Sequence, residues 1–167
     1  MRGRFALLFG AFLAVSMMTL ASSRSVNSAG DCNDVNAMTF EGWREWAQVT
    51  QKPIVSEGHS NNWVGIFVDE LAKDTYLSAS APFPECAKIV KPIYFDAEGK
   101  SVRKLTIMVK MQPGYDPDNG DWWYANADPS GTQVGRNGRL HGCIPCHKQA
   151  AETDYLFSRD VLNALKE

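Results

Sequence analysis

No apolar run in the sequence reaches the length of about 20 residues that a membrane-spanning helix needs. The run from Phe5 to Leu20 comes nearest, and Ser16 interrupts it. Basic residues form no patch, because the 17 Lys and Arg residues are interspersed among 19 Asp and Glu residues. The sequence also has no internal repeat and no second Cys-x-x-Cys pair. These absences speak against a membrane-spanning protein and a nucleic-acid binder, and leave small molecules and redox proteins as partners.

The N-terminus has the pattern of a secretory signal peptide. Arg2 and Arg4 precede the apolar run, and small residues follow it from Ala21 onward. This order of basic, apolar and small residues predicts a signal peptide over residues 1–23, with cleavage between residues 21 and 29. We therefore expect an exported protein located in the periplasm, without a membrane anchor after cleavage.

The remaining chain, residues 32–167, has the length of one ordinary domain. Segments rich in β-branched and aromatic residues predict strands over Trp63–Val68, Lys88–Phe95, Leu105–Met111 and Trp122–Ala127. Short connections between them imply an antiparallel sheet. Helices are predicted after Thr39, from Asp69 to Leu77, from His147 to Phe157 and from Ser158 to Leu165. The expected fold class is α+β, mainly antiparallel sheet with a few short helices.

The C-terminal part of the sequence contains a Cys-x-x-Cys-His motif, formed by Cys143, Cys146 and His147. This arrangement attaches haem c: the thiols form thioethers with the haem vinyl groups, and the histidine ligates iron. The motif predicts one covalent haem c with His147 as its metal ligand. A zinc site would want a second ligand pair, and a dithiol redox site would want a position near the start of a βαβ unit. The sequence offers neither.

Two further cysteines, Cys32 and Cys86, are the only thiols left once haem has taken its pair. In the oxidising compartment outside the cytoplasm such cysteines are commonly joined, so a disulfide is predicted. Two unpaired buried thiols are the alternative. Nothing in their spacing makes the pair catalytic.

Two ordered motifs resemble the signatures of the cytochrome P460 and cytochrome c'-beta superfamily. They are Lys110 to Pro117 running into Gly120 to Tyr124, and Cys143 to Ala151 followed by Asp154 and Phe157. Together with the segment from Phe83 to Lys91, they cover roughly residues 57–158. The resemblance implies a haem domain of mostly antiparallel β structure, usually a homodimer, with a five-coordinate haem iron whose protein ligand would be His147.

The superfamily contains two functional kinds, and the resemblance leaves both open. Cytochromes P460 oxidise hydroxylamine, and their haem carries an additional covalent bond to a lysine. Cytochromes c'-beta lack this bond and bind nitric oxide. The discriminating residue in this sequence would be Lys91, which would then be both haem-bonded and catalytic.

The pattern around Lys91 agrees with this role. Period-2 alternation puts Lys91 on the same strand face as Ile89 and Ile93, and a lysine in an apolar pocket tends toward the neutral, nucleophilic amine. The alternative is a lysine whose stem packs on the sheet while its ammonium group reaches solvent. Pro92 is a departure, because family members with the bond commonly have an acidic residue there. It removes a backbone donor and could shift the approach of Lys91 to the porphyrin.

Other residues near the expected site have ordinary interpretations. Adjacent aromatics from Trp122 to Tyr124 would suit a haem-lined wall or a dimer contact, but core positions are the more common interpretation. Met108 and Met111 are expected to fill gaps in the core. His59 is the one histidine available for the distal face, whereas His141 is expected at the surface. Four carboxylates could serve as the base in hydroxylamine oxidation, without a ranking: Glu57, Asp69, Glu85 and Asp121.

Three functions follow from these residues. The first is oxidation of hydroxylamine or a related small nitrogen compound at an open iron site, with electrons passing to a soluble redox partner. The second is nitric oxide binding without turnover. The third is plain electron transfer, which would require a sixth iron ligand such as His59 or Met108.

Overall fold

A mainly antiparallel sheet dominates the computed structural model, which describes residues 32–166. The predicted signal peptide lies outside these residues. The described chain contains eight strands and three short α-helices, which confirms the α+β class. The strands are β1 (Ala47–Gln48), β2 (Ile54–Ser56), β3 (Asn62–Val64), β4 (Phe67–Val68), β5 (Lys88–Tyr94), β6 (Val102–Lys110), β7 (Trp122–Ala127) and β8 (Val134–Gly138). The helices are α1 (Glu70–Leu77), α2 (Ile144–His147) and α3 (Ser158–Ala164).

Strand order in the sheet is β1-β4-β5-β6-β7-β8, with β3 also paired to β5 and β2 paired to β3. All these pairs are antiparallel. Strands β5, β6 and β7 are consecutive neighbours, as expected for strands joined by short connections. Their predicted bounds are confirmed to within a few residues, whereas β1, β2 and β8 were not predicted.

The predicted strand from Trp63 to Val68 is divided into β3 and β4. The break lies beside Pro92 of β5, which has no backbone N–H to donate. The Gly65 N–H donates to the Pro92 carbonyl at 3.1 Å. The Ile66 N–H turns away and donates to the Thr50 hydroxyl oxygen at 3.1 Å. The proline thus interrupts the pairing next to Lys91, as the sequence suggested.

The two faces of the sheet carry separate apolar cores. One core contains Val90, Ile107 and Trp123 and is covered by the N-terminal segment with Phe40 and Trp43. The other core contains residues of the opposite face and is covered by α1 and the C-terminal helices. Its members include Ile89, Met108, Trp122, Tyr124 and Leu156. Alternation along β7 therefore sends Trp122 and Tyr124 to one core and Trp123 to the other.

Of the four predicted helices, two are confirmed as α1 and α3, and two are wrong. After Thr39 the chain forms only a single 3₁₀ turn, Trp43–Glu45, and Gly42 before this turn is left-handed with φ 77°. The predicted helix from His147 to Phe157 is instead α2, which ends at His147, followed by a 3₁₀ segment, Lys148–Thr153. Helix α1 begins as predicted, since the Asp69 carboxylate accepts from the Ala72 N–H at 2.9 Å.

Cys32 and Cys86 form a disulfide, as predicted. It joins the start of the described chain to the segment before β5. The backbone around Cys86 is tied to the end of β6, because the Cys86 N–H donates to the Lys110 carbonyl at 2.8 Å. None of the helices in residues 32–166 is long and apolar enough to cross a membrane.

Replacing both Cys32 and Cys86 by alanine should lower the free energy of unfolding by up to about 4 kcal/mol, the chain-entropy value for a loop that separates cysteines by 54 residues. Urea unfolding of the variant and the parent protein measures the difference. Thiol titration of the denatured, unreduced parent should detect neither Cys32 nor Cys86. Equal unfolding midpoints in the two proteins would contradict this stabilising role.

Candidate functional site

Helix α2 holds the Cys-x-x-Cys-His motif against a cavity of about 730 Å³. Cys143, Cys146 and His147 all line this cavity. Both cysteines are half-buried and unoxidised, while His147 is buried. The spacing of three residues puts the two thiols on one side of a helical turn. The motif therefore presents two thiols and an imidazole to one cavity.

The competing interpretations of the motif find no support in the geometry. Within residues 32–166, only Cys32, Glu85 and Cys86 approach one another as a metal-ligand group would, and two of these are joined in the disulfide. The motif also follows an antiparallel sheet rather than opening a βαβ unit. A zinc half-site and a thioredoxin-like dithiol are thus both disfavoured.

The imidazole of His147 is fixed on several sides. Its ring lies 5.4 Å from the Tyr124 ring and 5.9 Å from the Phe157 ring, between centroids. Its Nδ1 lies 2.7 Å from the Tyr155 carbonyl oxygen. A carbonyl only accepts, so Nδ1 must carry the proton and Nε2 keeps the lone pair. Burial and the charge of Lys91 lower the pKa of His147 to about 3, which leaves the neutral, ligating form.

The Tyr155 carbonyl belongs to an unusual turn. Asp154 and Tyr155 both adopt left-handed backbone conformations, with φ of 52° and 66°. The Asp154 carboxylate accepts from the Lys110 Nζ at 2.6 Å and from the Phe83 N–H at 2.7 Å. The Trp122 Nε1 donates to the Asp154 carbonyl at 2.8 Å. This turn is therefore fastened to the sheet through side chains.

One face of the sheet forms a wall of the cavity, with three rows of side chains across β5, β6 and β7. The row nearest His147 pairs Ile89 with Met108 and Met108 with Tyr124. The next row is polar: Lys91 pairs with Thr106, and Thr106 with Asn126. A further pair joins Ile93 to Lys104. All eight residues line the cavity.

Lys91 thus faces the cavity that also contains the motif, on the same face as Ile89 and Ile93 as predicted. Its cross-strand neighbour is the polar Thr106, so its surroundings are less apolar than the sequence suggested. The side chain keeps intermediate exposure because it borders the cavity. Burial nevertheless lowers the pKa of its ammonium group to about 8. At pH 7 about a tenth of the amine is therefore neutral, far more than for an ordinary lysine.

His59 enters the same cavity from a 3₁₀ turn, Glu57–His59. Burial, together with the charges of Lys91 and Lys104, lowers the pKa of His59 to about 4. The neighbouring Gly58 lies close to the motif, since a Cβ at this position would come within 3.3 Å of the Cys146 Sγ. This turn therefore meets the cavity beside the cysteines.

A family model described as cytochrome P460 matches residues 40–158 of the sequence. The chain belongs to the cytochrome P460 family. A comparison with curated proteins found no match. Membership supports a c-type haem protein and implies a haem cofactor.

The residues present fit a haem. The cavity has the volume of a cofactor site, and two thiols and a neutral imidazole border it. The Tyr124 hydroxyl also lies at this wall, buried and without a hydrogen-bond partner among the described residues. Such an unpaired buried group is costly unless a bound molecule or water satisfies it.

The structure of this cytochrome P460 family member shows which of the other candidate residues lie at the cavity. Glu57 lines the cavity, whereas the other three candidate carboxylates do not. Asp69 caps α1, Glu85 accepts from Asn33, and Asp121 accepts from the Gly114 and Asp116 N–H groups. Met111 is buried in the opposite core, and His141 is exposed as expected.

Sequence reasoning missed three residues around His147. Tyr124 is buried in the core, as expected, and also lines the cavity, as the alternative interpretation had it, but its ring contact with the imidazole was not predicted. Lys110 and Asp154 were noted only as parts of motifs. A lysine at the end of an apolar strand was the available signal, because a buried cation needs an anionic partner.

Amine labelling tests the environment of Lys91 in a Cys143→Ser, Cys146→Ser variant, which cannot form thioethers. The labelling rate of Lys91 should reach half its maximum near pH 8, because only the neutral amine reacts. An ordinary lysine reaches this point about two pH units higher. Pulse labelling followed by peptide mass spectrometry reads each lysine separately. A midpoint for Lys91 no lower than that of the exposed Lys100 would contradict the lowered pKa.

Proposed function

We propose that the protein is a periplasmic haem c protein that oxidises hydroxylamine or a related small nitrogen compound at an open haem iron site. The observation that carries this proposal is the presence of Lys91 and the Cys-x-x-Cys-His motif in the walls of one cavity. Haem iron, when bound, supplies the coordination position and the electron-accepting chemistry. The protein residues then decide how the haem is held and what reaches it.

Attachment of one haem would use Cys143, which precedes α2, and two residues of α2 itself, Cys146 and His147. Cys143 and Cys146 would form the thioethers, and both are unoxidised and border the cavity. His147 would be the iron ligand through Nε2, because its Nδ1 already donates to the Tyr155 carbonyl. This hydrogen bond orients the ring and increases its basicity as a ligand.

Lys91 would form the additional bond to the macrocycle that distinguishes the hydroxylamine-oxidising members of the family. Its lowered pKa supports this role, because a neutral amine is the form that makes covalent bonds. Thr106 donates its hydroxyl to the Lys91 carbonyl at 3.2 Å, which helps to fix the strand at this point. Lys91 would therefore approach from a rigid position on β5.

Electron transfer alone is less well supported, because neither candidate for a sixth ligand is well located. Met108 lies in the row beside Tyr124, whose ring packs on His147. It therefore borders the side of the cavity that His147 occupies. His59 follows Gly58, which approaches Cys146. Both residues border the cavity near the attachment motif.

Nitric oxide binding is the second candidate function. It is favoured by Pro92, which stands where members with the lysine bond commonly have an acid, and by the polar neighbours of Lys91. If Lys91 remains a free amine, the cavity would hold a small gas without turning it over. The aliphatic wall residues Ile54, Val64 and Ile66 suit an apolar diatomic ligand.

Export to the periplasm, a soluble redox partner and a homodimeric assembly complete the proposal. The Cys32–Cys86 disulfide supports an oxidising compartment. Among the candidate bases, Glu57 is supported by its position in the cavity wall. Its carboxylate would accept protons released as hydroxylamine loses electrons.

Replacing Cys143 and Cys146 by alanine should give a protein without covalent haem, because both thioether sulfurs are removed. Acid-acetone extraction followed by absorbance of the protein fraction measures this. The parallel Cys32→Ala, Cys86→Ala variant is the control and should retain its haem. Haem that resists extraction from the Cys143, Cys146 variant would refute this attachment.

Replacing Lys91 by leucine should leave haem attached and nitric oxide binding intact, while most hydroxylamine oxidation and the red-shifted Soret band of a crosslinked haem are lost. The optical spectrum of the reduced protein and steady-state turnover measure these effects. Lys104→Leu is a matched control, because Lys104 also lines the cavity, and it should keep the red shift. A parent protein with an ordinary c-type Soret band would instead favour the nitric oxide binder.

A further inference from the structure

Asp154 is a buried acid with an unusually complete set of partners. Only 7% of the residue is exposed. Its carboxylate accepts from Lys110 with both oxygens at 2.6 Å and from the Phe83 N–H at 2.7 Å. A buried carboxylate held this way cannot move without leaving a charge unpaired, which is strongly unfavourable. Asp154 is therefore a fixed point of the structure.

Lys110 is the partner that makes this possible. It ends β6, with 13% of its side chain exposed, and its Nζ lies 5.0 Å from the centre of the Trp122 ring. The indole Nε1 of Trp122 in turn donates to the Asp154 carbonyl at 2.8 Å. One buried cation thus links the end of β6, the start of β7 and the segment after the Cys-x-x-Cys-His motif.

The backbone beside Asp154 is held in a conformation that it would not adopt alone. Two successive residues other than glycine, Asp154 and Tyr155, have positive φ. A non-glycine residue in this conformation is strained and persists only where its surroundings enforce it. The reversal brings the Tyr155 N–H back to the Ala150 carbonyl at 2.8 Å and points the Tyr155 carbonyl at the His147 Nδ1.

We propose that Lys110 and Asp154 are positioning residues that set the strength of His147 as an iron ligand. They touch neither the cavity nor the imidazole. They act by holding the Tyr155 carbonyl within 2.7 Å of Nδ1. This inference rests on the proposed role of His147 as the axial ligand.

The direction of the effect follows from the hydrogen bond. A carbonyl that accepts from Nδ1–H makes Nε2 a stronger donor, and a stronger donor favours ferric over ferrous iron. When the ion pair is broken, the turn at residues 154 and 155 relaxes and the hydrogen bond lengthens. The ferrous form then becomes relatively more stable, so the reduction potential rises.

Reduction potential and the iron–histidine stretching frequency of the ferrous protein, read by resonance Raman spectroscopy, test this in the haem-loaded protein. Asp154→Asn and Lys110→Met should each shift the ferric/ferrous equilibrium about tenfold toward ferrous, which is about 59 mV for one electron. The stretching frequency should fall in both. Lys110→Arg keeps the cation and should restore the parent values. Trp122→Phe keeps the ion pair but removes one donor, and should give a smaller shift of the same sign.

The exposed pair between Arg159 and Glu152, at 3.6 Å in the same C-terminal region, provides the control. Glu152→Gln should leave both readouts unchanged. The proposal is overturned if folded Lys110→Met keeps the parent potential and stretching frequency, or if Glu152→Gln shifts them equally. If Asp154→Asn and Lys110→Met do not fold, unchanged readouts in Trp122→Phe overturn it. A parent protein without an iron–histidine band would refute His147 as the ligand, which is a failure of the proposed function itself.

Discussion

The buried carboxylate of Asp154 is the constraint on which the C-terminal third of the structure depends. Its partners come from three distant parts of the chain: the Phe83 N–H before β5, the Lys110 ammonium group at the end of β6, and more weakly, at 3.4 Å, the Trp122 indole at the start of β7. Removing any charged partner would leave an isolated charge in the core, so the arrangement is formed completely or not at all. The motif that presents two thiols and a histidine is thereby tied to the sheet whose face forms the cavity wall.

The sheet contributes to the site through simple alternation. Because successive side chains of a strand point to opposite faces, β5, β6 and β7 each give every second residue to the cavity and the rest to the opposite core. The polar row of Lys91, Thr106 and Asn126 interrupts a face that is otherwise mostly aliphatic or aromatic. Burial lowers the pKa of the Lys91 ammonium group, and the nearby Cys146 thiol group opposes part of this shift.

Local patterns predicted the parts of the fold that local interactions determine. The alternation in Lys88–Tyr94 and the capping aspartate of α1 need only nearby residues, and both were predicted correctly. The helix after Thr39 failed because long-range contacts replace it: the Phe40 N–H donates to the Gly131 carbonyl and the Trp43 indole to the Pro129 carbonyl. The helix from His147 failed because Asp154 and its distant partners impose the left-handed turn. Strand β8 was missed because its two glycines and Asn137 are poor strand formers, and pairing with β7 overrides this.

For the site, the Cys-x-x-Cys-His motif and the strand face of Lys91 could be predicted from the sequence. The contacts around the imidazole could not, because they join segments far apart in sequence.

The two cysteine pairs of the chain have opposite redox requirements. Cys32 and Cys86 are oxidised, whereas Cys143 and Cys146 must stay reduced if they are to form thioethers. Both members of the oxidised pair precede the motif in the chain, and N-terminal segments are generally available to fold first. Once Cys32 and Cys86 form their disulfide, neither thiol is free to form a mixed disulfide with Cys143 or Cys146. If Cys143 and Cys146 attach a haem, this order of the cysteines along the chain would favour oxidative closure of Cys32 with Cys86 before cofactor attachment.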